Sequence, residues 1–321
     1  MYQTPVLLIT FNRPDHTRQV FDAIKMQKPK QLFVFQDGHR EGNIMDIEKC
    51  MEVRSIFHEP LDWDCELHTY FSKVNLGCGK GPSTGISWFF EHVEQGLIFE
   101  DDCLPHPEFF HYSALLLEKY KDNSTISLIG GSSFQNQSVN HKYSYYFSSG
   151  VFGTWGWATW KRTWSNFDYY LDSIDEKLMT SLIKKYFKEV RQRFFWRLIF
   201  SEVKKDRFKE SCWDYQFYFS CWKKGMLAII PYNNLISNIG FDEMATHTYG
   251  VEHPAASRPT KPILPIIHPI DVKLNIKADF YVHKNINLAY EYGWQGFKRI
   301  PFRINRWIKW KLGKKGSWLN K

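Results

Sequence analysis

Two stretches of this 321-residue chain hold residue types whose spacing could do chemistry. One is Glu100-Asp101-Asp102, directly after the apolar run Leu97-Ile98-Phe99. Adjacent carboxylates repel one another unless a cation compensates them, so three in a row at the tip of a buried strand call for a metal ion. Mn2+ or Mg2+ would suit, because hard divalent ions take oxygen ligands and a diphosphate can supply the remainder. A solvated turn is the alternative reading of the same triplet. The other stretch runs from Asn75 to Gly85, with Gly77, Gly79 and Gly81 between them, and leads into an apolar helical segment, Ile86 to Val93. Lys80 is followed by Gly81 rather than Ser or Thr, and the glycines do not space as GxGxxG, so neither familiar phosphate-binding motif is present. What remains is a turn at a helix start, which either approaches an anionic ligand or is only a turn.

The elements that must position these residues read as α/β. Pro5 to Phe11 is a short continuous apolar run closed by Asn12-Arg13-Pro14, as expected of a strand buried on both faces of a parallel sheet. Asp15 to Lys25 reads as a helix, Gln31 to Phe35 as a second strand ending at Gln36-Asp37-Gly38, and Gly96 to Phe99 as a third. Strand, polar tip and helix in alternation place functional residues at the carboxyl ends of strands. Further on, Asp175 to Lys205 reads as a helical stretch, Cys212 to Phe217 opens another helix, and Met226 to Pro231 is a short strand. Prolines 254, 259, 262, 265 and 269 mark an extended linker.

Composition narrows the function classes. The formal net charge is +8, from 42 Lys and Arg against 34 Asp and Glu. Nine of the basic residues and none of the acids lie in residues 297–321, which leaves residues 1–296 with 33 basic against 34 acidic side chains. The excess therefore belongs to one terminal segment and argues against a nucleic-acid binder with a basic body. In that segment Ile304, Trp307, Ile308 and Leu312 share one helical face between Pro301 and Gly313, while Arg303, Arg306 and Lys309 lie elsewhere around it. A basic amphipathic helix of this kind suits an anionic membrane surface; a packed terminal helix is the alternative. Six cysteines show no metal-ligand spacing, no secretory signal is evident and no apolar run is long enough to span a bilayer. The expected location is cytoplasmic, peripheral at the inner face of the cell membrane. Aromatic residues make up 17% of the chain, enough to line a site with flat rings or to build a large aromatic core.

Several pieces, in order along residues 5 to about 240, resemble the GT-A nucleotide-sugar glycosyltransferases, most closely the inverting N-acetylglucosaminyltransferase I type and its bacterial relatives. Pro5 to Arg13 resembles that family's first strand and Phe35-Gln36-Asp37 its second. Leu97 to Phe110 is similar to its acidic metal motif and the Pro, acid, Phe-Phe run beyond it. Phe152 to Trp157 resembles its Gly-Trp acceptor-side segment, and Trp213-Asp214 the Trp-Asp pair before its catalytic base; the second Asp of that pair's motif is Tyr215 here. The implied fold is a GT-A, Rossmann-like, mostly parallel mixed sheet flanked by helices. The implied domains are a catalytic domain over 1–250, its donor half to about 105 and its acceptor half over 106–250, a Pro-rich linker over 251–296 and a basic amphipathic tail over 297–321.

Carried over by position, the resemblance implies that Asp102 binds the metal, that Glu100 and Asp101 hold the donor sugar or ribose, and that Asp37 accepts from the N3–H of a uracil base or else caps the turn before Gly38. Arg13 then bonds Asp37 or a phosphate, or is a plain surface residue. Asp214 is the candidate general base, or a helix N-cap, with Asp168, Asp172 and Glu210 as alternatives. His247 either touches the metal or diphosphate or is an ordinary histidine. Trp155, Trp157 and Trp160 either stack on sugar faces or belong to the core. The implied activity is a metal-dependent, inverting glycosyltransferase moving a sugar from a nucleotide diphosphate sugar, UDP-linked, to a glycan or lipid-linked glycan acceptor in bacterial surface polysaccharide synthesis. A noncatalytic nucleotide-sugar or glycan binder of the same fold is the alternative, and a nucleic-acid partner is not expected.

Overall fold

The computed structural model describes residues 2–205, 212–241 and 255–288. In chain order the elements are β1 (Val6–Thr10), α1 (Pro14–Lys25), β2 (Gln31–Gln36), α2 (Ile44–Ile56), β3 (Glu66–Phe71), α3 (Gly77–His92), β4 (Gln95–Glu100), β5 (Cys103–Pro105), α4 (Glu108–Lys119), β6 (Ile126–Gly130), β7 (Tyr145–Ser148), β8 (Trp157–Trp160), α5 (Lys161–Trp164), α6 (Glu176–Tyr186), α7 (Val190–Lys204), α8 (Asp214–Lys223), β9 (Leu227–Pro231), β10 (Ile236–Asn238) and α9 (Ile276–Val282). Among them the expected α/β class is observed: one mixed, mostly parallel sheet in the order β3-β2-β1-β4-β8-β6-β9-β7, flanked by helices. The run β3-β2-β1-β4 is parallel throughout, and β8 and β7 run against their neighbours.

The apolar alternation of β1 builds both layers. Val6 and Leu8 face α1, α2 and α4 through Val20, Phe21, Val53 and Leu116, whereas Leu7 and Ile9 face α3 and the α6–α8 side through Ile86, Phe89 and Phe217. Both faces are dry, which is why the sequence of β1 is continuously apolar. The second layer is where the aromatic content goes: Trp157, Trp164, Trp196, Trp213 and Trp222 lie buried there.

Three expectations are corrected. The stretch 175–205 is two helices, because Phe187 leaves the helical path with φ −117° and ψ 127° and turns into the core against Trp196 and Trp222. The glycine-rich turn is itself helical: α3 starts at Gly77, whose φ of +77° suits the residue without a Cβ, and Gly85 lets the helix approach Phe35 so closely that a Cβ would lie 2.6 Å from the ring. Finally, the proline-rich segment is no free linker where it is described. It runs along the body, with Ser257 N donating to Asn238 O, Lys261 N to Asn234 O and Asn275 N to Phe147 O, and with Glu108 accepting from the amides of Ile263 and Leu264. The basic segment 297–321 lies outside the described residues.

Candidate functional site

Strand register brings the acidic residues to one end of the sheet. Ile9 of β1 pairs with Glu100 of β4, and Thr10 pairs with Gln36 of β2. Arg13, Asp37 and Glu100 to Asp102 therefore all leave the sheet at the carboxyl ends of adjacent parallel strands, where such sheets present their ligand crevice. Arg13 ion-pairs with both Asp101 and Asp102, the latter at 3.1 Å, so it answers the acidic triplet rather than Asp37. Burial opposes the Arg13 charge, but the two carboxylates outweigh it and its pKa is raised.

One arginine does not balance three acids. Burial, with the charges of Asp102 and Asp101, pushes the Glu100 carboxyl up to about 8. Asp101 is also raised, by burial first, and its Oδ2 is buried with no hydrogen-bond partner among the described residues. Asp102 is held from behind: its backbone carbonyl accepts from Ile239 N at 2.9 Å, where β5 meets β10. A Cβ on Gly240 would collide with the Asp102 carboxylate and lie 2.9 Å from Arg13 Nη1. An oxygen-only donor set of this kind fits a hard divalent cation. No group of three or more His, Cys, Asp or Glu among the described residues is arranged as a metal cage, so phosphate or water oxygens would have to complete the coordination.

Asp214 is the first residue of α8 and half-buried. Burial raises its pKa to about 6, against the opposing effect of the Tyr215 amide, and its charge reaches Glu100. Asp168 is engaged elsewhere, accepting from the Ser173 amide and hydroxyl and the Asp172 amide. Glu210 and His247 lie outside the described residues.

Asp37 is buried, and both its oxygens are occupied: Oδ1 by the amides of Gly38 (2.9 Å) and Leu76 (2.8 Å), Oδ2 by the Gly77 amide (3.0 Å) and Asn75 Nδ2 (3.2 Å). Asn75 Nδ2 also donates to Gly38 O at 2.7 Å. The pair fixes the turn into α3, and burial raises the Asp37 pKa despite those amides. Trp157 is 1% exposed and packs on Trp213 and Phe217, and Trp160 donates to Leu117 O, so both support the site from within the core. Trp155 remains half-buried among Phe134, Phe152 and Phe241.

Sequence reasoning missed three contributors. Cys78, in the first turn of α3, sits close enough to Glu100 and Asp37 to feel their charges, with burial the larger cause of its raised pKa. Gly240 forms the wall behind Asp102. Asp46 of α2, 2% exposed, takes hydrogen bonds from Asn12 and Arg40 and so ties the loop after β2 to the loop after β1. The glycine was visible as a turn signal; the other two carry no local signal.

No protein-family model and no curated sequence matches the chain. Among solved structures it is similar to the inositol-1-phosphate CTP transferase from T. maritima (9% identity, TM-score 0.38, 72% of this chain and 86% of that one). It is also similar to the 4-diphosphocytidyl-2C-methyl-D-erythritol synthase from Anaerococcus prevotii (8%, 0.31, 63% and 100%) and to a UDP-glucose pyrophosphorylase complexed with UDP-glucose (11%, 0.29, 51% and 79%). At these scores the likeness assigns no reaction to this chain. It does correct one expectation: none of the three is named for moving a sugar to a glycan acceptor, and the inverting glycosyltransferase reading gives way to a coarser one. Among the described residues no helix is long and apolar enough to cross a membrane.

Proposed function

We propose that the carboxylate crevice is a site for a nucleoside phosphate with a divalent cation, in a transferase that acts on a nucleotide substrate. The observation that supports this most is the charge balance: three neighbouring acids meet one arginine, and a buried Asp101 oxygen is left without a partner among the described residues. A bound Mn2+ or Mg2+ would supply charge neutralisation for the phosphates. Asp102 would hold it, with Glu100 and Asp101 beside it. The cation's charge would offset the repulsion of Asp101 and Asp102 that adds to burial in raising the Glu100 pKa, and so would favour the ionised carboxylate.

Asp214 is suited to take a proton from the second substrate, since a carboxylate with a pKa of about 6 is deprotonated at neutral pH and more basic than an exposed one. Asp37 has its hydrogen-bonding capacity spent on the turn into α3. Its role is to hold the start of α3, where its own carboxylate takes up the Leu76 and Gly77 amides. Calorimetric titration with uridine, cytidine and guanosine di- and triphosphates and with UDP-sugars, each with Mn2+ and with EDTA, tests the reading. Metal-dependent binding that discriminates among bases is expected; no binding to any of them, or binding equal in EDTA, contradicts it.

A further inference from the structure

We infer that a small cavity between β7 and the end of α9 binds one water molecule, which accepts a hydrogen bond from His283 and passes one to Ser149. The cavity measures about 10 Å3, and Ser132, Phe134, Tyr146, Ser149, Asp279 and His283 stand in its wall. None of the six is more than 5% exposed. An indole N–H only donates, and Trp196 Nε1 of α7 donates to His283 Nε2 at 3.3 Å, so that nitrogen carries no proton. Burial holds the His283 pKa down at about 3. The ring is therefore neutral at ordinary pH, with its one proton on Nδ1.

That proton has nowhere to go within the chain: Nδ1 is buried, and no described residue accepts from it. Asp279, one turn earlier on α9, accepts instead from Ser148 Oγ at 2.6 Å and Ser149 N at 2.8 Å. Ser149 Oγ is the second buried atom of this wall without a hydrogen-bond partner among the described residues. Burial raises the Asp279 carboxyl, and the Ser149 hydroxyl is close enough to offset part of that. Buried polar groups in native proteins are paired, by ordered water where no protein group reaches them. The chemistry of the wall selects the ligand. A cation would meet the Nδ1 proton, and an anion would sit beside Asp279 with no Lys or Arg in the wall to balance it. Water accepts from Nδ1–H and donates to the Ser149 hydroxyl, and a cavity of roughly 10–15 Å3 is the size that admits one molecule of it. Through this water His283, already bonded to Trp196 of α7, is joined to the residue beyond the end of β7. One buried point thus ties α7, α9 and the sheet edge together.

Two measurements on the full, unaltered chain test this. A high-resolution crystal structure is expected to show one ordered water within hydrogen-bond distance of both His283 Nδ1 and Ser149 Oγ. Nitrogen NMR of the histidine rings at neutral pH is expected to show His283 protonated at Nδ1 and bare at Nε2. Its Nδ1 proton should exchange slowly with solvent and cross-relax with a bound water. Loss of one signal set in His283→Phe assigns the resonance, and where that variant does not fold the crystal structure decides alone. A well-ordered cavity without water density overturns the proposal, as does density there for an ion. So does a His283 ring that is charged, protonated at Nε2, or hydrogen-bonded through Nδ1 to a protein acceptor.

Discussion

At the scale of single residues, the account turns on two carboxyl groups with raised pKa values. Asp214, at about 6, changes state within the accessible pH range. Product formation is therefore expected to rise between pH 5 and 7 as Asp214 deprotonates, and Asp214→Asn should lose about 100-fold in rate while keeping nucleotide affinity. A pH–rate profile of both proteins checks this, and parental rates in the amide variant would place the base elsewhere. Glu100, at about 8, has the opposite effect on stability. The folded chain keeps its proton where an unfolded glutamate, with a pKa of about 4.3, has lost it. This contribution is present below that value and disappears as pH rises towards 8. Glu100→Gln should accordingly raise the melting temperature at pH 8, by roughly 2 °C or more, and change it little at pH 4. The triplet itself was legible in the sequence, because three acids after an apolar run stand out. The engagement of Asp37 was not: its partners Asn75, Leu76 and Gly77 are nearly forty positions away, and only the fold brings them together.

At the scale of elements, the short β5–β10 ribbon and the turn after it hold Asp102 in place. Gly240 has a backbone conformation open to other residues, so Gly240→Ala should cost little through the backbone. Its methyl group would instead displace the Asp102 carboxylate and Arg13. We expect metal-dependent nucleotide binding to weaken about tenfold or more, the scale seen when groups supporting a metal ligand are altered, with the melting temperature nearly unchanged. Titration alongside thermal unfolding separates the two effects. Periodicity found β1, β2 and β4 within a residue or two, since strands buried on both faces read as unbroken apolar runs. It did not find β3, whose sequence Glu66-Leu-His-Thr-Tyr-Phe71 is half exposed at the sheet edge, nor the break at Phe187, which tertiary packing imposes on an otherwise helical pattern.

At the scale of the whole molecule, the sheet is closed at its β7 edge by α9. Asp279 of α9 is 5% exposed, accepting from Ser148 Oγ at 2.6 Å and Ser149 N at 2.8 Å. Asp279→Ala would strand the Ser149 amide and should destabilise the fold by about 1–3 kcal/mol, while Asp279→Asn, which keeps an acceptor, should cost less. Chemical denaturation measures both. This clamp was invisible in the sequence, where the prolines before it read as an extended linker. The central claim concerns the acidic cluster at the carboxyl ends of β1, β2 and β4, and titration of nucleotide in the presence and absence of Mn2+ addresses it most directly, with the unaltered chain and Asp102→Ala compared. The account predicts that the unaltered chain binds only with the metal and that Asp102→Ala, still folded, loses this metal-dependent binding. Metal-dependent binding of equal affinity in both proteins would contradict it.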